Sequence, residues 1–70
     1  MTEPLNVGDR PINLTQVLKL AGLVAHGGEA KALIADGMVR VNGEVETRKR
    51  RQMALGDVVE LEGGPGVKLA

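Results

Sequence analysis

Gly37–Arg51 reads GMVRVNGEVETRKRR, and the fold turns on how this stretch pairs with itself. Two apolar–polar alternations flank Asn42-Gly43, the strongest short-range hairpin signal. Two registers are open. A two-residue Asn42-Gly43 loop pairs Val41 with Glu44 and Val39 with Glu46, which puts acids on the apolar face. A three-residue loop, Val41-Asn42-Gly43 with Gly43 left-handed, pairs Arg40 with Glu44 and Val39 with Val45. Charge then faces charge and valine faces valine. On that ground the second register is expected, with a bulge at Gly43.

Upstream, NLTQVLKLAG predicts a short helix. Asn13 is a good N-cap, and Gln16 three residues later completes a capping-box pair. Leu14, Val17, Leu18 and Ala21 make one apolar stripe, and Gly22 is the expected C′ residue. After the linker LVAHGG, GEAKALIADG predicts a second helix. Its acid, Glu29, lies in the first turn, its buried face is Ala30, Leu33, Ile34 and Gly37, and Gly37 is also expected to end it. The small Ala30 side chain permits close helix packing. Leu5–Val7 reads as a short edge strand limited by Pro4, Gly8 and Pro11.

Downstream, Gly56-Asp57 marks a turn before a strand with Val59 and Leu61 on one face. Gly63–Gly66 is a second turn, and Val67 and Leu69 of the closing VKLA match that face. Helices in the first half and strands in the second predict an α+β domain. Two short helices pack on a small antiparallel sheet of four to five strands.

The 70 residues make a single domain, 1–70, with a modest core. Cysteine is absent, which excludes disulfides and thiolate metal sites. No apolar run approaches the ~20 residues of a membrane span, and MTEPLNVGDR lacks the regions of a signal peptide. A monomeric, cytoplasmic protein without a membrane association is expected. Phe, Tyr and Trp are also absent, so no aromatic platform exists for stacking bases. Any nucleic acid must be held by charge and shape. Ser is missing too, the three threonines lack an activating partner, and no acid pair or metal cluster stands out. No catalytic residue, metal or cofactor is assigned.

Lys+Arg and Asp+Glu balance at 9 each, so the chain is formally neutral. The balance is uneven along its length. Lys31–Arg51 holds six cations against three acids, which can make one surface positive on a neutral molecule. Arg48, Lys49, Arg50 and Arg51 are consecutive, as phosphate contact favours and as solvated loops also show. If the run continues the strand, alternation lets about two of the four serve one surface. Gly27 and Gly28 precede a helix start near Lys31, a weak anion-binding pattern that on motif grounds alone reads more readily as a flexible linker. His26 has no second ligand or nucleophile beside it and reads as a polar linker residue.

Taken in order, LTQVLKLAGLV, a glycine-bearing turn, EAKALIADGMVRVNG and LGDVVEL resemble the RNA-binding domain of small-subunit ribosomal protein S-four. That family is built on the αL motif, two short helices followed by a loop and strand. The resemblance covers about residues 14–61, and HGGEAK is most similar to short stand-alone bacterial members. It implies a non-enzymatic protein that binds structured RNA, ribosomal or transfer RNA, with a possible ribosome association. Matching positions are Gly27, Gly28 and Lys31 at the helix start and Arg40 on the strand. Lys19 flanks them, and Arg48, Lys49, Arg50 and Arg51 form the basic stretch. Many relatives begin the second helix with Ser-Arg where this chain has Gly27-Gly28, which shifts the electrostatic burden to the later run. The other reading is a small protein–protein interaction module, possibly ribosome-associated, that does not touch RNA. Asp57, Glu60 and Glu62 suit such a face better than they suit phosphate.

Overall fold

In a computed structural model, which describes residues 2–8 and 11–70, the chain forms an α+β structure. The elements are β1 (Thr2–Leu5), β2 (Ile12–Asn13), α1 (Leu14–Leu20), α2 (Gly27–Ala35), β3 (Val39–Val41), β4 (Glu44–Val45), β5 (Gln52–Met53), β6 (Val58–Leu61) and β7 (Gly66–Leu69). The main sheet has the order β1-β7-β6-β3-β4, and β2 pairs with β5 in a separate ladder. The pairings in the main sheet are antiparallel, as expected, except at one edge. There β1 runs parallel to β7.

α1 starts where the sequence indicates. The Asn13 side chain accepts from the Gln16 amide at 2.9 Å, and the Gln16 side chain accepts from the Asn13 amide at 2.9 Å. This reciprocal pair satisfies donors that a helix start leaves free. α2 begins earlier than expected. Gly27 and Gly28 are its first two residues rather than a linker, because His26 is its N-cap. The imidazole Nδ1 accepts from the Glu29 amide at 3.2 Å, and Glu29 Oε1 accepts from the Ala25 amide at 2.9 Å.

Leu14, Val17, Leu18, Ala30 and Ile34 of the helices share one buried cluster with Val39, Val41, Val59, Val67 and Leu69 of the sheet. Aliphatic side chains and Met53 fill this cluster, without an aromatic ring. Close approach matters at Gly66. A Cβ there would sit 2.6 Å from Glu60 Cγ and 2.8 Å from the Val59 carbonyl oxygen.

The hairpin register differs from expectation. Arg40 pairs with Val45 and Val41 with Glu44, so the loop is the two-residue Asn42-Gly43. Both residues have left-handed φ, 53° and 86°, as a type I′ turn requires. There is no bulge at Gly43, and the Glu46 amide donates to the Val39 carbonyl at 2.9 Å. The register that places acids on the apolar face is the one adopted. It is tolerated for two reasons: Glu44 lies at an exposed sheet corner, and Glu46, 6% exposed, finds partners in the basic run. The turn preference of Asn-Gly and the partners of Glu46 together outweigh simple matching of valine to valine.

Candidate nucleic-acid interface

The four cations do not extend a strand. Arg48–Arg51 is a turn, with the Arg51 amide donating to the Arg48 carbonyl at 3.2 Å. Its outer residues fold back onto Glu46. Arg48 Nε donates to Glu46 Oε2 at 3.0 Å and Nη2 to Oε1 at 2.9 Å. Arg51 Nη1 adds a bond to Oε1 at 2.8 Å, and the Arg48 amide one to Oε2 at 3.0 Å. Each carboxylate oxygen thus accepts two bonds, which compensates the cost of desolvating the charge. Chiefly through the Arg48 side-chain bonds, and against the opposing effect of burial, the Glu46 pKa falls to about 2.

The inner residues of the turn, Lys49 and Arg50, point elsewhere. With Lys19 of α1 and Lys31 of α2 they line a shallow concavity of about 180 Å³, floored by Asn13, Thr15 and Gln16. Among the described residues none of these four cations has an ion-pair partner. Backbone bonds fix the turn against α1. The Leu14 amide donates to the Arg51 carbonyl at 3.0 Å and the Thr15 amide to the Lys49 carbonyl at 3.3 Å. The Thr15 hydroxyl also donates to the Lys49 carbonyl, at 2.9 Å. The free amides of the α1 start are therefore met by carbonyls of the basic turn.

Gly27 lies beside this cluster, whereas Gly28 faces the His26 ring. A Cβ on Gly27 would stand 4.0 Å from the Lys19 ammonium. Arg40 lies apart. It shares the outer face of the sheet with Val45 and Glu60, its cross-strand partners, while Val39 and Val41 face the core. Arg40 Nε donates to Glu62 Oε2 at 2.8 Å. Of the nine residues singled out in the sequence, the structure gathers Lys19, Lys31, Lys49 and Arg50 around one concavity, with Gly27 beside Lys19. Arg48 and Arg51 stand behind the turn on Glu46. The polar floor and Glu46 itself were missed. A signal for Glu46 was present: an acid at an inward register position of an Asn-Gly hairpin, with Arg two and five residues later.

Two short helices, a loop and a hairpin that together carry a cluster of unpaired cations define an αL-type module. The chain belongs to the S4 domain family, whose description matches residues 5–68. It is 41% identical to "Probable ribosome maturation protein RlbA" of Bacillus subtilis (strain 168), over 90% of this chain and 89% of that protein. It is 42% identical to YbcJ of Escherichia coli (strain K12), over 83% and 84%. The solution structure of YbcJ is described as revealing an αL motif involved in RNA binding. It superposes with a TM-score of 0.75 at 37% identity, covering 100% of this chain and 89% of that one. A tyrosine–tRNA ligase of Bordetella pertussis is 40% identical over 79% of this chain but only 13% of the ligase. RlbA of Bacillus subtilis and YbcJ of Escherichia coli, both matched along most of their length, are short proteins named for a ribosome or an RNA role. The ligase likeness is confined to the S4 domain and carries no enzymatic activity to this chain. Among the described residues no helix is long and apolar enough to cross a membrane.

Proposed function

We propose that this chain binds structured RNA, with Lys19, Lys31, Lys49 and Arg50 taking backbone phosphates. The observation that carries this reading is the convergence of four cations, from two helices and a turn, on one concavity of a formally neutral chain. Such clustering releases counterions from phosphates. With no aromatic side chain in the protein, recognition rests on charge and backbone shape. Gly27 and Gly28 let an RNA backbone approach the start of α2. The names of RlbA and of the tyrosine–tRNA ligase favour ribosomal or transfer RNA as the target. YbcJ, described as carrying an RNA-binding motif on the same fold, supports RNA over a protein partner.

Filter binding of ribosomal and transfer RNA across a salt series tests this. Lys49→Ala with Arg50→Ala is expected to weaken binding and flatten the salt dependence by about one to two phosphate contacts. Arg40→Ala, on the outer face with Glu62, is expected to change little. An unchanged salt slope in the double variant would refute the assignment.

A further inference from the structure

Resting on the RNA-binding reading, we propose that Glu46 is a positioning residue of the interface. Its carboxylate shapes the Arg48–Arg51 turn so that Lys49 and Arg50 stand beside Lys19 and Lys31. A carboxylate repels phosphate, so its place beside a phosphate-binding surface needs a reason. Stability alone supplies a poor one, because apolar residues commonly replace buried ion pairs with no loss. Glu46 faces the core side of the sheet, opposite Val39, where a hydrophobic residue would fit.

The geometry supplies a better reason. The four bonds to Glu46 come from Arg48 and Arg51, the two ends of the turn. Closing both ends on one carboxylate leaves Lys49 and Arg50 as the tip. It also sets the Lys49 and Arg51 carbonyls against the Thr15 and Leu14 amides of α1. The same contacts neutralise the acid, so it does not repel an approaching phosphate. Within one run of four cations, two act on the protein and two face outward.

This assignment opposes plain electrostatics. Removing an acid makes the chain more positive and by charge alone strengthens RNA binding. The positioning role requires the opposite. The experiment measures binding of a synthetic RNA stem-loop across a potassium chloride series for wild type, Glu46→Gln and Glu46→Leu. Glu46→Leu keeps the apolar packing if Glu46→Gln does not fold. Both variants are expected to bind about 3–10-fold more weakly, with a shallower salt slope. In either background Lys49→Ala plus Arg50→Ala is expected to cost less than in wild type, since the tip is already displaced. Faster amide exchange at Thr15 in the folded variants is the accompanying structural readout.

Folded Glu46 variants that bind as tightly as wild type or tighter, with additive effects of the tip substitutions, would overturn the role of Glu46 and leave the RNA-binding reading standing. A wild-type chain that fails to bind the stem-loop, ribosomal RNA and transfer RNA overturns both.

Discussion

The Thr15 hydroxyl donates to the Lys49 carbonyl at 2.9 Å, joining the first turn of α1 to the tip of the basic turn 34 residues later. The bond lets a helix start, whose own amides need acceptors, serve as the mount for two cations. Thr15→Val keeps the shape of the side chain and removes the donor. The expected loss is about 0.5–1.5 kcal/mol of stability, read from urea unfolding, with the midpoint lowered and the slope unchanged.

Glu46 makes stability depend on acid pH. Its folded pKa, about 2, lies below the ordinary 4.5, so the folded state favours the charged form. The resulting stability is fully present above about pH 4.5. It is lost as pH falls from there through the folded value near 2. The side chain is 8% exposed, but its partner Arg48 is 74% exposed, and solvent there screens part of the effect. A contribution on the order of 1–3 kcal/mol is expected. Melting curves between neutral pH and pH 2 check it: wild type loses this increment, and Glu46→Gln, lacking the titrating group, does not.

Asn42 does more than turn the chain. Its φ of 53° is left-handed, which asparagine tolerates better than most residues. Its side chain also joins the hairpin to the start of β6, accepting from the Val58 amide at 2.9 Å and donating to Asp57 Oδ1 at 3.1 Å. Asn42→Ala forfeits both bonds and keeps the strained backbone, so about 1–3 kcal/mol of destabilisation is expected. Asn42→Gly relieves the backbone and loses only the bonds. A smaller drop in melting temperature for Gly than for Ala separates the two causes.

Ala30 is fully buried where α2 packs beside α1. Ala30→Leu inserts volume into a packed seam, and about 1–3 kcal/mol of destabilisation is expected from overpacking. Because Lys19 and Lys31 ride on these two helices, their separation is expected to change as well. A thermal melt matching wild type would show that the seam has room.

Much of this protein is legible locally. Asn13 with Gln16, the apolar stripe Leu14-Val17-Leu18, and the alternation of Val59, Leu61, Val67 and Leu69 each act within a few residues. Capping and periodicity are short-range, so the sequence by itself determined both helices and the core side of β6 and β7. The family likeness was readable for the same reason, since its motifs are contiguous.

The tertiary structure decided the rest. Matching valine to valine favoured a bulged hairpin, yet Asn42-Gly43 closes a two-residue turn and turns Glu46 inward. That choice is stable because Arg48 and Arg51 return to it, a compensation that depends on the 48–51 segment bending rather than extending. The parallel pairing of β1 with β7 likewise joins the two ends of the described chain, beyond the reach of any local pattern. Four consecutive cations look equivalent in sequence. They become two pairs with different partners because a buried carboxylate holds the outer two and α1 holds the backbone between them.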